Sequence, residues 1–205
     1  MRILIFAIIG YLIGCINPAY ILSQIYHVDI QKSGTGNLGT TNAFINFGKG
    51  LGMLVFFFDL MKGFIPTVLC IYFLNMEKIS GIVMGCGVVL GHMYPFYKSF
   101  HGGKGVASLG GVILALDWRC FLFVLCGGFV IAVIMNYGCF LSFTATLVFP
   151  FVSVIKLNSI AALLVSTTIS LCVACKHGEN IKKIHTGEEP QIRRFLMKYF
   201  LRRKE

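Results

Sequence analysis

Acidic side chains are scarce in this chain of 205 residues: Asp and Glu together number 8, and all charged residues make up only 13% of it. Soluble domains carry about 25% charged residues. Apolar residues fill the gap at 57%, and the mean hydropathy is +0.81. A soluble chain of this length cannot bury that much apolar surface. A soluble enzyme, a disordered chain and a nucleic-acid-binding domain are thereby excluded, and an integral membrane protein remains. The 18 Lys and Arg leave a formal net charge of +10. In a membrane protein that excess reads as contact with anionic lipid or an anionic substrate, not with nucleic acid.

Other signals are missing too. Eight cysteines lie in or beside apolar runs, and Cys172-Val-Ala-Cys175 has C-x-x-C spacing but no second ligand pair. They read as buried thiols, so neither a metal site nor a redox centre is expected. The apolar stretch from Met1 to Ile25 has one basic residue, Arg2, and no small-x-small cleavage site. An uncleaved first span is expected there. No repeat, heptad or low-complexity segment is visible.

A membrane-crossing helix needs roughly 20 apolar residues. The apolar runs are Ile3–Tyr26, Leu51–Leu74, Ile79–Tyr97, Cys120–Met135, Cys139–Ile155 and Ile160–Cys175, with a shorter run at Val106–Leu116. Counted separately the short run makes seven spans; fused with its successor it makes six. An all-α, polytopic membrane protein of about seven helices is expected. Nine basic residues lie between Lys176 and Glu205, which places that tail in the cytoplasm by the positive-inside rule. Seven spans then put the N-terminus outside, with thirteen basic residues on the tail's side, four opposite and Lys62 within a span. Residues 1–189 are expected to form one membrane-embedded domain and 190–205 a basic cytoplasmic tail. The long polar loops all fall on the tail's side, so function is expected on that face.

Three polar constellations stand out. The first runs from Asp29 to Asn42 and contains Gly34-Thr35-Gly36-Asn37-Leu38-Gly39, formally G-x-G-x-x-G. A dinucleotide fingerprint needs a preceding strand, and a membrane helix precedes this one. Either it is a plain surface loop, or its glycines open backbone N–H groups to an anion. The second runs from Gly91 to Ala107, with Lys104 flanked by Gly102, Gly103 and Gly105. The P-loop frame is absent, and two readings stand: a phosphate-binding cation or a snorkelling lysine. His92, near the end of an apolar helix, is structural or catalytic on the same footing. The third is Lys176-His177-Gly178-Glu179-Asn180, where helical continuation puts His177 and Asn180 on one face. A basic juxtamembrane helix is the alternative. Asp59 and Lys62, at i and i+3 within a span, read as an ion pair.

Together these segments resemble the acyl-phosphate:glycerol-3-phosphate acyltransferases of bacterial membranes. The loop Gly34-Thr35-Gly36-Asn37-Leu38-Gly39-Thr40-Thr41-Asn42, the pair Gly91-His92-Met93-Tyr94-Pro95 and Phe100-His101-Gly102-Gly103-Lys104-Gly105, and His177-Gly178-Glu179-Asn180-Ile181 with Gly187-Glu188-Glu189 carry the likeness. The resemblance implies transfer of a fatty acyl group from acyl phosphate to the 1-hydroxyl of glycerol 3-phosphate. Lysophosphatidic acid and phosphate are the products, and no cofactor enters. It implies Thr35, Lys104, His177 and Asn180 as catalytic residues, and Gly36, Asn37, Asn42, His92, Gly102, Gly103 and Ser142 as substrate-binding. It further implies a monomer in the inner (plasma) membrane with a cytoplasmic active face, its partners being the two substrates and membrane lipid. The pattern departs at Thr35, where serine is usual, and at Ile45, Asn136 and Gly178, where arginines are expected. Lys32 or Lys49 is expected to compensate. A weakened or inactive relative, acting as a lipid-binding or assembly protein, is the alternative. A small-anion transporter is a third reading, but it needs polar residues on both faces, and the outer loops are nearly bare.

Overall fold

The computed structural model describes residues 2–74 and 77–201, without the side chains of residues 200 and 201. Asn75 and Met76 of the expected outer loop, and Arg202, Arg203 and Lys204 of the expected tail, lie outside the described residues.

The first apolar run is not one helix. Helix α1 (Arg2–Cys15) stops and, after Ile16 and Asn17, α2 (Pro18–Ile25) begins. Proline has no N–H and clashes with a preceding helical turn, so it starts a helix well and continues one badly. Asn17 caps α2, its side chain accepting from Tyr20 N at 2.9 Å. The break orphans the last carbonyls of α1 in an apolar setting, where each must find a donor. Lys62 Nζ donates to Gly14 O at 3.2 Å and Ile16 O at 2.9 Å, and Tyr97 OH donates to Cys15 O at 2.6 Å.

Helix α3 (Thr40–Val68) begins ahead of the expected span and bends at Gly48, whose φ of 80° only glycine adopts easily. The bend lays Phe44 against Gly52. Residues Leu69–Phe73 extend α3 as a π-helical turn. Helix α4 (Lys78–Met93) packs on α1 through glycines: a Cβ at Gly14 would run into the Val88 carbonyl, 2.8 Å from its carbon, and one at Gly91 would lie 2.9 Å from Cys15 N. Such small residues let helices approach where lipid gives no hydrophobic drive to associate.

Helix α5 (Val106–Leu116) is separate from α6 (Trp118–Met135), because Asp117 ends one and caps the other, accepting from Arg119 N at 2.7 Å. Lys156, near the end of α7 (Cys139–Leu157), pairs with Asp117 and holds its carboxyl below the usual range. Lys104, just before α5, meets Asn180 at the opposite end of α7. The eleven residues of α5 at 1.5 Å each give about 16 Å, little more than half the length of α7. Among the described residues six helices are long and apolar enough to span a bilayer, and α5 is a shorter apolar helix. Helix α8 (Ile160–Lys176) follows, and the expected continuation through His177 is broken there: α9 (Gly178–Thr186) is a new helix. A last helix, α10 (Ile192–Leu196), closes the described chain with a π-helical extension, Met197–Leu201.

Phe149, Met93, Leu109, Ile113 and Ile82 form the centre of the core, shared by α4, α5 and α7. Large apolar residues also face outward, among them Ile155, Ile160 and Leu164, as expected of a surface against lipid.

Candidate active site

A cavity of about 400 Å³ opens at the end of the bundle that holds Lys104. All three polar constellations reach it. Gly34, Thr35 and Asn37 come from the first loop, Lys104 and Gly105 from the glycine turn, and His177 and Asn180 from the junction of α8 and α9. Ser142 of α7 and His92 of α4 also line it. Beyond this polar mouth the walls are apolar, with Phe56, Leu60, Phe121, Val124, Leu141 and Ala145 from α3, α5's neighbour α6, and α7.

Lys104 donates to Asn180 Oδ1, whose Nδ2 donates in turn to Glu189 Oε1 at 2.6 Å. Burial holds the Lys104 ammonium below its ordinary value; Glu189 opposes that depression and Lys183 adds to it. His177 Nδ1 sits 2.8 Å from Val173 O, an acceptor only, so Nδ1 carries a proton and in the neutral ring Nε2 keeps a free lone pair. Ser142 is buried against the cavity.

Two helix N-termini also face the cavity. Gly39, Thr40 and Thr41 open α3, and Gly105, Val106 and Ala107 open α5. Neither start has a side-chain cap. Their first-turn N–H groups and positive dipole ends suit anions.

Four of the expected substrate-binding residues shape the site from behind it. Asn42 is fully buried; its Nδ2 donates to Ile30 O at 2.7 Å and its Oδ1 accepts from Thr35 N at 2.8 Å. Gly36, at φ 73°, turns the same loop. The N–H of Gly102 donates to Met93 O at 3.1 Å and that of Gly103 to His92 O at 3.0 Å, so both are spent within the protein. None of these four lines the cavity.

His92 joins the buried Asp59–Lys62 ion pair in a trio of side chains. Asp59 Oδ1 lies 2.7 Å from Lys62 Nζ and 3.2 Å from His92 Nδ1, which is itself 2.9 Å from Lys62 Nζ. With Nδ1 of a neutral ring as an acceptor, the ammonium has four acceptors within reach, the others being Asp59 Oδ1, Gly14 O and Ile16 O, and three protons to give. Asp59 and His92 both form cavity wall, so the trio ties the α1–α2 break to the site.

The expected compensating cations are not at the cavity. Lys32 pairs with Asp29 at 3.4 Å on the surface, and neither it nor Lys49 forms part of the wall. Lys183 does, one helical turn beyond Asn180 on α9. That i, i+3 spacing was the signal for it. Glu189, the last residue of Gly187-Glu188-Glu189, is the partner of Asn180. Of the positions lacking arginine, Ile45 lies against Gly34, Asn136 caps α6 with φ 65°, and Gly178 opens α9.

Residues 4–187 match the profile of a family described as glycerol-3-phosphate acyltransferase. Glycerol-3-phosphate acyltransferases of Macrococcus caseolyticus and Aquifex aeolicus are 36% and 35% identical to the chain. The alignments cover 94% and 92% of this chain, and 98% of each relative. Two crystal structures of PlsY, an integral membrane glycerol 3-phosphate acyltransferase, superpose with TM-scores of 0.84 (glycerol 3-phosphate form) and 0.81 (lysophosphatidic acid form). Both are 32% identical over 93% of this chain, covering 96% and 95% of the neighbour.

Proposed function

Because the chain belongs to the glycerol-3-phosphate acyltransferase family, we propose that its cavity transfers a fatty acyl group from acyl phosphate to the 1-hydroxyl of glycerol 3-phosphate. The observation that carries this reading is one cavity with a cationic, N–H-rich mouth and an apolar interior. Both proposed substrates bear phosphate, and one bears a chain that needs an apolar slot. Lys104, Lys183 and the starts of α3 and α5 meet the phosphates. The hydroxyl attacks the acyl carbonyl, the new ester bond forms, and the bond to phosphate breaks. The products are lysophosphatidic acid and phosphate.

A mixed anhydride is already activated, so positioning and charge neutralisation supply the catalysis and the reaction draws on no cofactor. The hydroxyl proton passes to His177 Nε2 or to the departing phosphate. Purified protein given palmitoyl phosphate and glycerol 3-phosphate is expected to release phosphate in step with lysophosphatidic acid. Failure to form either product in a folded sample overturns the reading.

The hydroxyl of Thr35 sits in the cavity wall, with Asn37 N 3.5 Å from its Oγ1. Thr35→Ser is expected to keep or raise activity. Thr35→Val removes the donor and leaves a phosphate oxygen unpaired, at about 1–3 kcal/mol, so most activity goes. Equal rates for the valine variant and the parent protein would remove the hydroxyl from the mechanism.

The cavity face is read as cytoplasmic, in the inner membrane, from the basic residues gathered at that end. Reporter fusions are expected to place the C-terminus in the cytoplasm and the N-terminus on the other side. Both ends scoring on one side contradicts the seven crossings.

A further inference from the structure

Past residue 187 the chain returns to the cavity. Glu189, Pro190, Ile192 and Phe195 form part of its wall. The return is held by backbone groups. Ile192 N donates to Asn136 O at 3.0 Å and Arg193 N to Asn136 Oδ1 at 3.2 Å. The Arg193 guanidinium donates to Val133 O at 3.0 Å and Ile134 O at 3.1 Å, satisfying carbonyls at the end of α6. Phe195 and Tyr199 then pack edge-on against Phe44, with ring centroids 5.8 and 6.5 Å away.

From Ile192 onward the segment has two faces. Ile192, Phe195, Leu196 and Tyr199 are half-buried toward the bundle, while Arg194, Met197 and Lys198 are exposed. Arg194 and Lys198 stand four residues apart, and Arg202 continues the spacing in the sequence. Residues 190–205 hold six basic residues and a single acid, Glu205. The segment lies at the end of the bundle where the long apolar helices finish, which is the level of lipid headgroups.

We propose that residues 190–201 are a strap whose outer face binds the anionic surface of the membrane itself, and that this docking completes the cavity wall for acyl transfer. A basic, amphipathic helix at this depth fits that partner: Ile192, Phe195, Leu196 and Tyr199 face inward, and the cations, with Met197 between them, face the headgroups. Each cation near an anionic surface adds about fivefold to the attraction. On a neutral bilayer the strap keeps only its α6 and Phe44 contacts, and the Phe195 wall loosens.

The inference rests on the acyl-transfer reading of the cavity, and two readouts separate the two. The full-length protein is reconstituted in phosphatidylcholine alone, and in phosphatidylcholine with phosphatidylglycerol. Trypsin cleavage after Arg194 and Lys198 is expected to slow several-fold, roughly three or more, in the anionic membrane. In the same membranes kcat/KM for acyl phosphate rises by about threefold or more. The double variant Arg194→Gln with Lys198→Gln lacks both cleavage sites and is read by kcat/KM alone: it matches the parent protein on neutral lipid and loses the rise on anionic lipid. Cleavage and kcat/KM both indifferent to lipid overturn the strap, as does a double variant that keeps the full response. Protection without acyl transfer in either membrane upholds the surface and overturns the proposed reaction.

Discussion

Lys104→Ala is expected to lose at least about two orders of magnitude in phosphate release, close to 2.7 kcal/mol of transition-state stabilisation. The lysine holds its place through Asn180, itself held by Glu189, so its ammonium is fixed before substrate arrives. Positions 45, 136 and 178 carry Ile, Asn and Gly, leaving Lys104 and Lys183 as the Lys and Arg side chains in the described cavity wall. With so few cations, removing one costs more. Lys104→Arg should rescue only in part, because a planar fork replaces a compact ammonium poorly in a glycine turn. The pH profile gives a second check. Burial lowers the Lys104 pKa below 10.5, so the charged form, and with it activity, is lost as pH rises at a lower pH than an exposed lysine would give. Near-normal phosphate release from a folded, membrane-inserted Lys104→Ala protein would place the phosphate site elsewhere.

Asp59→Ala should unfold the protein more readily than any change at the cavity mouth. It leaves the Lys62 ammonium buried without its carboxylate, and breaking such a pair from one side costs about 3–5 kcal/mol. Removing both charges with Asp59→Ala and Lys62→Met should recover part of the loss. Recovery stops short of complete, because Gly14 O and Ile16 O then lose their donor. Thermal unfolding in detergent measures all three proteins. An unchanged Tm for Asp59→Ala, or a double variant no better than the single, contradicts the account.

Composition made the membrane class legible, since apolar content and charge act over the whole chain. The site was legible because glycines, hydroxyls and amides are conspicuous between apolar runs: Thr35, Asn37, Lys104, His177 and Asn180 do converge. The break at Asn17-Pro18 was written in the sequence as a cap followed by a first-turn proline, but the apolar run around it hid the signal. For Asn42, Gly102 and Gly103, expected as substrate contacts, the partners within the protein were not legible, because a polar or flexible residue in a motif carries no mark of which groups it serves. Their partners are the carbonyls of Ile30, Met93 and His92, and a carbonyl has no letter of its own. The same reason concealed Arg193, which binds the carbonyls of Val133 and Ile134 across a sequence gap of about sixty residues.

The spacing of Asp59 and Lys62 bears on how the protein enters the membrane during synthesis. A lone charge at the centre of an inserting helix costs about 2.5–3.5 kcal/mol. These two lie one turn apart on the same helix and meet at 2.7 Å, so α3 brings its own counter-ion into the bilayer. The Gly14 and Ile16 carbonyls that Lys62 will cap are already there, because both residues precede it in the chain. His92 arrives only with α4 and completes the trio. The order along the chain therefore gives Asp59 its partner on the same helix and Lys62 its carbonyls on the helix before, so neither of these two charges waits in lipid for a later helix.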